Sequence, residues 1–123
     1  MNSAIPDWLQ RLFRCIDAAD AAGFARFFHE DASFRFGNGD SVRGRAAIQT
    51  AVAGFFASVA GLRHELVEVC VQGPTLMCHG RVTYTRHDGS EHSVPFANVL
   101  HLSGNAILEY LIFADISGLY VSN

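Results

Sequence analysis

Apolar positions along the chain first recur at helical spacing and later switch to alternation. Leu9, Leu12, Phe13 and Ile16 fall three and four residues apart, one face of a helix predicted over Pro6–Ala19. Pro6 suits its first turn, and Asp7 suits the positive end of its dipole. Asp17 follows Phe13 by four positions, which sets a carboxylate at the edge of the apolar stripe. Asp20 is placed to cap a short second helix whose buried face is Phe24, Phe27 and Phe28. Phe34 and Phe36 alternate as in a short strand, and Gly37-Asn38-Gly39-Asp40 is turn chemistry. A third helix is predicted over Arg45–Ala60, with Ile48, Val52, Phe55, Phe56 and Val59 as its stripe and Gly61 at its end.

From Leu62 onward the apolar period drops to two. Strands are predicted over Leu62–Gln72, Thr75–Arg86, Glu91–Ser103 and Ala106–Asp115, separated by Gly73-Pro74, His87-Asp88-Gly89-Ser90 and Gly104-Asn105. Helices followed by an antiparallel meander imply an α+β fold, with the helices on one face of a curved sheet. Two-residue turns would set 72 opposite 75, 87 opposite 90 and 103 opposite 106. One face then gathers His64, Glu68, His79, Arg81, Thr83, Asn98 and Asp115 among Leu66, Phe96, Leu100, Leu111 and Phe113. It reads as a cavity wall, since pockets are apolar with a few convergent polar groups. The other face gathers Val67, Val69, Val71, Val82, Tyr84, Ala97, Val99, Tyr110 and Ile112. By apolarity alone this smoother face makes the better core; with the first face as cavity wall, it would meet a second subunit. The assignment rests on register, and one bulge would flip part of it.

Composition narrows the functions open to the chain. Its 123 residues make one ordinary domain, and with 50% hydrophobic residues a core needs no staples. A net charge of −3 gives no basic footprint, so no nucleic acid is expected as partner. The N-terminus lacks a charged start followed by an apolar run, and no stretch is long enough to span a bilayer, so the expected setting is cytoplasmic and away from membranes. All nine basic residues are arginine, which excludes Schiff-base chemistry through a lysine. Cys15, Cys70 and Cys78 are odd in number and widely spaced; they read as buried small hydrophobes. His29, His87 and His92 fall at helix ends or turns, where exposure is expected. No paired-histidine motif is present, so neither a metal nor another cofactor is expected.

Ile16-Asp17, Asp20, Phe24, Phe27-Phe28, Asp31-Ala32, Val42-Arg43-Gly44, Ala47-Ile48 and the closing Ile112-Phe113-Ala114-Asp115 occur in an order that resembles the SnoaL-like branch of the nuclear transport factor two-like superfamily. The resemblance implies a cystatin-like α+β barrel: a strongly curved antiparallel or mixed sheet forming a cone around three N-terminal helices, with a deep pocket inside. It implies a homodimer through the outer sheet face. Relatives include polyketide cyclases, limonene epoxide hydrolase, ketosteroid isomerase, scytalone dehydratase and non-catalytic modules, so the fold alone names no activity. Against the epoxide hydrolase pattern, Arg81 and Asp115 match, Thr83 stands where the first acid belongs, and Phe36 and Asn38 occupy the water-holding positions. Against the dehydratase pattern, Asp17, His64 and Ala97-Asn98 match, while Thr85 stands near the second histidine's place and His79 is displaced. The isomerase pattern needs a tyrosine on the first helix, which this chain lacks.

The candidate catalytic residues are therefore Asp115, Asp17, His64, Asn98 and Arg81. Asp115, ending an apolar strand, is either a general acid or base beside a cavity or a strand-end cap on Ser117. Asp17 or His64 would assist it, while Asn98 and Arg81 would orient substrate or stabilise negative charge. Phe34, Phe36, Asn38, Thr83, Phe96 and Phe113 are the candidate substrate-binding residues. Two readings remain open. One is a cofactor-independent enzyme of isomerase, cyclase, dehydratase or hydrolase type acting on a compact apolar substrate. The other is a non-catalytic domain that binds a hydrophobic ligand or serves as a dimeric scaffold. Several of these polar groups meeting in one void favour the first.

Overall fold

The computed structural model describes residues 5–120. Helix α1 covers Asp7–Asp17 and buries the predicted stripe of Leu9, Leu12, Phe13 and Ile16. Helix α2 is short, Ala21–Ala25, and Asp20 caps it by accepting the Gly23 N–H at 2.9 Å. The chain then enters strand β1 (Phe28–Phe36), much longer than the Phe34–Phe36 alternation predicts. Phe28 is therefore a strand residue and Phe27 lies in the turn before it. Strand β2 (Val42–Arg43) and helix α3 (Arg45–Ala57) follow. Ser58 closes α3, and Gly61 begins the next strand rather than ending the helix. The meander consists of β3 (Gly61–Gln72), β4 (Thr75–Thr85), β5 (Glu91–Ser103) and β6 (Ala106–Phe113).

The six strands form one sheet in the order β2-β1-β6-β5-β4-β3. All neighbours are antiparallel except β1 and β6, so the sheet is mixed and open, with the fold of a cone around the helices. Phe24, Phe28, Phe34 and Tyr110 pack ring to ring, with centroids 5.0–6.4 Å apart, and close its floor. Arg45 donates two bonds to the Phe28 carbonyl, at 3.0 and 2.9 Å, tying the start of α3 to the start of β1. Among the described residues, no helix is long and apolar enough to cross a membrane.

Register departs from the two-residue-turn expectation at one of the three hairpins. Gln72 faces Thr75 and Ser103 faces Ala106 as expected. Between β4 and β5, however, Arg86 accepts the Gly89 N–H at 2.9 Å and donates its own N–H to Ser90 at 2.8 Å. The loop thus has three central residues, His87, Asp88 and Gly89, and Gly89 takes the left-handed conformation (φ 89°) that such loops require. Every β4–β5 pair moves by one position, so Cys78 faces Asn98 and Val82 faces Val94. A bulge at Val67 shifts β3 against β4, and an irregularity near Leu108 shifts β6 against β5.

The two expected faces are consequently each divided. His64, Phe96, Asn98 and Leu100 point inward, whereas Glu68, His79, Arg81, Thr83, Leu111 and Phe113 lie on the outer side. Tyr84 and Tyr110, expected on the outer, smooth face, are buried inside with Val69 and Val82, and the half-buried Ile112 faces the same way; Ala97 and Val99 stay outside. Of the cysteines, only Cys78 is buried; Cys15 is half-buried and Cys70 is exposed. His92 is not exposed: its ring lies under Gly118 in the C-terminal turn, which Arg86 holds through the Gly118 and Leu119 carbonyls.

Candidate functional site

Asp17 occupies the last turn of α1, where the helix dipole disfavours a negative charge. Two donors from β3 compensate for it. The backbone N–H of His64 donates to Oδ2 at 3.0 Å, and His64 Nδ1 lies 2.7 Å from Oδ1. A carboxylate can only accept, so Nδ1 carries the proton and, in the neutral ring, Nε2 presents its lone pair. Nε2 makes no hydrogen bond to the described residues. The imidazole packs between Phe13 and Phe96, each with its centroid 5.0 Å away, and its side chain is 11% exposed. The backbone contact matters as much as the ring contact: one carboxylate fixes both the place of β3 and the tautomer of the histidine it carries.

His64 lines a cavity of about 220 Å³ inside the cone. Its walls are largely aromatic and aliphatic, with Phe34, Phe36, Phe55 and Phe96 among them. Asn98 lines it too, buried on β5, and donates from Nδ2 to the Tyr110 hydroxyl at 3.0 Å. Its Oδ1 is buried without a partner. Burial raises the pKa of the Tyr110 hydroxyl well above its ordinary value, with Cys78 adding to the effect. Burial likewise raises that of Tyr84, helped by Tyr120. Both phenols therefore keep their protons. Asp40 and Gly39 sit at the exposed mouth.

The structure thus brings together Asp17, His64, Asn98, Phe34, Phe36 and Phe96. It does not bring Asp115, Arg81, Thr83, Asn38 or Phe113 into the cavity. Asp115 is exposed beyond β6 and accepts the Ser117 N–H at 3.0 Å; that bond holds its pKa below the usual carboxylate range. It acts as a turn cap, the alternative the sequence left open. Arg81 and Thr83 both donate to Ser93 on the outer face, at 3.2 and 3.1 Å. The three-residue β4–β5 loop is the cause, since it leaves Arg81 opposite Pro95 rather than Phe96. Asn38, Phe113 and Asp115 line an open groove on the outer side instead.

Tyr84, Tyr110, Phe55 and Phe56 are the aromatic and hydroxyl-bearing residues, besides Phe24, that line the cavity without being expected there. For Tyr84 the advance signal was Asp88-Gly89, which fits a three-residue loop as well as a two-residue one; Tyr110 turns inward through the irregularity near Leu108, and Phe55 and Phe56 belong to the predicted stripe of α3. Among the described residues, no three His, Cys, Asp or Glu side chains converge as a metal centre requires.

An open mixed sheet, helices filling its concave side and an apolar hollow with a carboxylate–imidazole pair define an α+β cone fold. The chain belongs to the SnoaL-like domain family, whose model matches residues 9–110. No curated protein matches the chain. Among solved structures, it is similar to a protein with a ketosteroid isomerase-like fold from Catenulispora acidiphila DSM 44928, in complex with trimethylamine. That pair shares 15% identity and a TM-score of 0.85, covering 93% of this chain and 89% of the other. TerC co-crystallised with polyporic acid aligns with a TM-score of 0.79 at 17% identity, over 91% and 92% of the two chains. An LEH-like epoxide hydrolase of M. tuberculosis aligns with a TM-score of 0.75 at 10% identity, over 88% and 80% of the two chains. At these identities the likeness establishes the fold.

Proposed function

We propose that this domain carries out cofactor-independent acid–base chemistry on a compact, mostly apolar molecule held inside the cone. The supporting observation is the clamp of Asp17 on His64, by one bond to the ring and one to the backbone, beside an apolar cavity. His64 Nε2 is the proton acceptor. Asp17 orients the ring and stabilises the imidazolium that forms, as a carboxylate does in other His-based catalytic units. Asn98 and Tyr110 give the wall its polar anchor. Isomerisation, aldol cyclisation, dehydration and hydrolysis all begin with such a proton transfer.

The test is proton exchange and turnover, followed by NMR in D2O, on a panel of cyclic ketones, hydroxyketones and epoxides. The wild-type chain should accelerate at least one of them. His64→Gln should then cost roughly 10²–10⁴-fold, with circular dichroism confirming the fold. Equal rates for variant and wild type would remove His64 from the chemistry. Binding without turnover would favour the non-catalytic ligand-binding reading, which the nearly all-apolar cavity wall also supports.

We further propose that the outer sheet face pairs with a second copy of the chain. Met77, Val99 and Leu111 lie in one row across it, beside Ala97 and Phe113. Met77 is 46% and Phe113 54% exposed. The pairs Glu68–His79 and His101–Glu109 flank this apolar strip. A two-fold axis would set the strip against itself.

A further inference from the structure

We infer that the cone selects a neutral, single-ring molecule bearing a hydroxyl group and rejects carboxylates of the same size. The inference rests on the proposed role of His64 and adds the class of ligand it serves. Three observations carry it. The first is volume. About 220 Å³ exceeds the roughly 150 Å³ that holds benzene in an engineered apolar cavity. One ring with small substituents fills it; a four-ring fused skeleton exceeds it.

The second is charge. No arginine lines the cavity, and the chain has no lysine. The one carboxylate among its lining residues is Asp40, at the mouth. Asp17 spends both its oxygens on His64. An anionic ligand would lose its water, find the one cation the cavity can form, the His64 imidazolium, already neutralised by Asp17, and pass a negative group on entry.

The third is the balance of donors and acceptors. His64 Nε2, bare in the tautomer that Asp17 selects, asks for a donor. Asn98, only 3% exposed, leaves Oδ1 with none. Tyr84, whose hydroxyl makes no bond to the described residues, offers a donor. A hydroxyl can donate to a ring nitrogen and accept from a phenol at once. A ketone or ether only accepts, and an ammonium only donates.

The experiment is calorimetric titration of the full chain with phenol, toluene, benzoate and benzylammonium. Phenol should bind about five- to tenfold more tightly than toluene, the worth of one net hydrogen bond, and benzoate should not bind measurably. His64→Leu should erase the preference for phenol while still binding toluene. Equal affinity for phenol and toluene in the wild type would overturn the inference, as would benzoate or benzylammonium binding as tightly as phenol. Each of those results leaves the proposed function standing, because proton exchange reads it separately. Failure of all four to bind would refute the inference and the ligand cavity together.

Discussion

Replacing Gly80 with alanine tests whether backbone packing, rather than side-chain preference, turns His64 into the cone. Gly80 lies on β4 opposite Leu66, next to the bulge at Val67. A Cβ there would collide with the Glu65 carbonyl oxygen, and it would lie 2.9 Å from the Glu65 carbonyl carbon and 3.0 Å from the Leu66 Cα. All three atoms are backbone, so no rotamer change relieves the clash. The β3 chain must move away, giving up about two ladder bonds at roughly 1 kcal/mol each and adding overpacking strain of about 1–3 kcal/mol. The sum, about 3–5 kcal/mol, is a large share of a typical domain's 5–15 kcal/mol or so. Urea unfolding followed by circular dichroism measures it. Because β3 also carries His64, the ring resonances of His64 should shift as Asp17 loses its hold. A Gly80→Ala protein within about 1 kcal/mol of wild type, with an unchanged urea slope, would refute this account of the bulge.

Gly54, on the exposed side of α3, has open space where a Cβ would go. Gly54→Ala should therefore stabilise the fold by about 0.5–1 kcal/mol in the same assay. Asp20→Ala should cost about 1 kcal/mol by removing the cap of α2. Burial raises the pKa of the Cys78 thiol from 9.0 to about 11. The folded state thus keeps a proton that the unfolded state loses, so stability should fall as pH rises between 9 and 11. The loss is about 2–3 kcal/mol, and Cys78→Ala should remove that part of the alkaline slope. Phe113→Glu should shift the chain toward monomer in sedimentation velocity, with little change in its unfolding midpoint; an unchanged mass would refute outer-face pairing.

Local chemistry was readable from the residues alone. The stripe of Leu9, Leu12, Phe13 and Ile16 names the buried face of α1, because helical period and apolar spacing coincide. Asp20 caps α2 because its side chain reaches the Gly23 N–H from the adjoining turn. Gly73-Pro74 and Gly104-Asn105 set the register at their own hairpins for the same local reason. Asp17 at the rim of an apolar stripe stood out as an acid needing a partner, and α+β followed from helices preceding strands.

Tertiary packing decided which polar residues the cavity would hold. Side chains alternate with a period of two, so one extra residue in the β4–β5 loop sends Arg81 and Thr83 outside and Tyr84 inside. The bulge at Val67 turns His64 toward Asp17, and it exists because Gly80 lets two backbones approach more closely than any Cβ would allow. The β1–β6 pairing is parallel and joins strands far apart in sequence, so no local signal announces it. A one-residue slip costs little in any short window of residues. It is selected only when a whole sheet must bury one face, and that requirement separates the half-buried Asp17–His64 pair from the exposed Asp115.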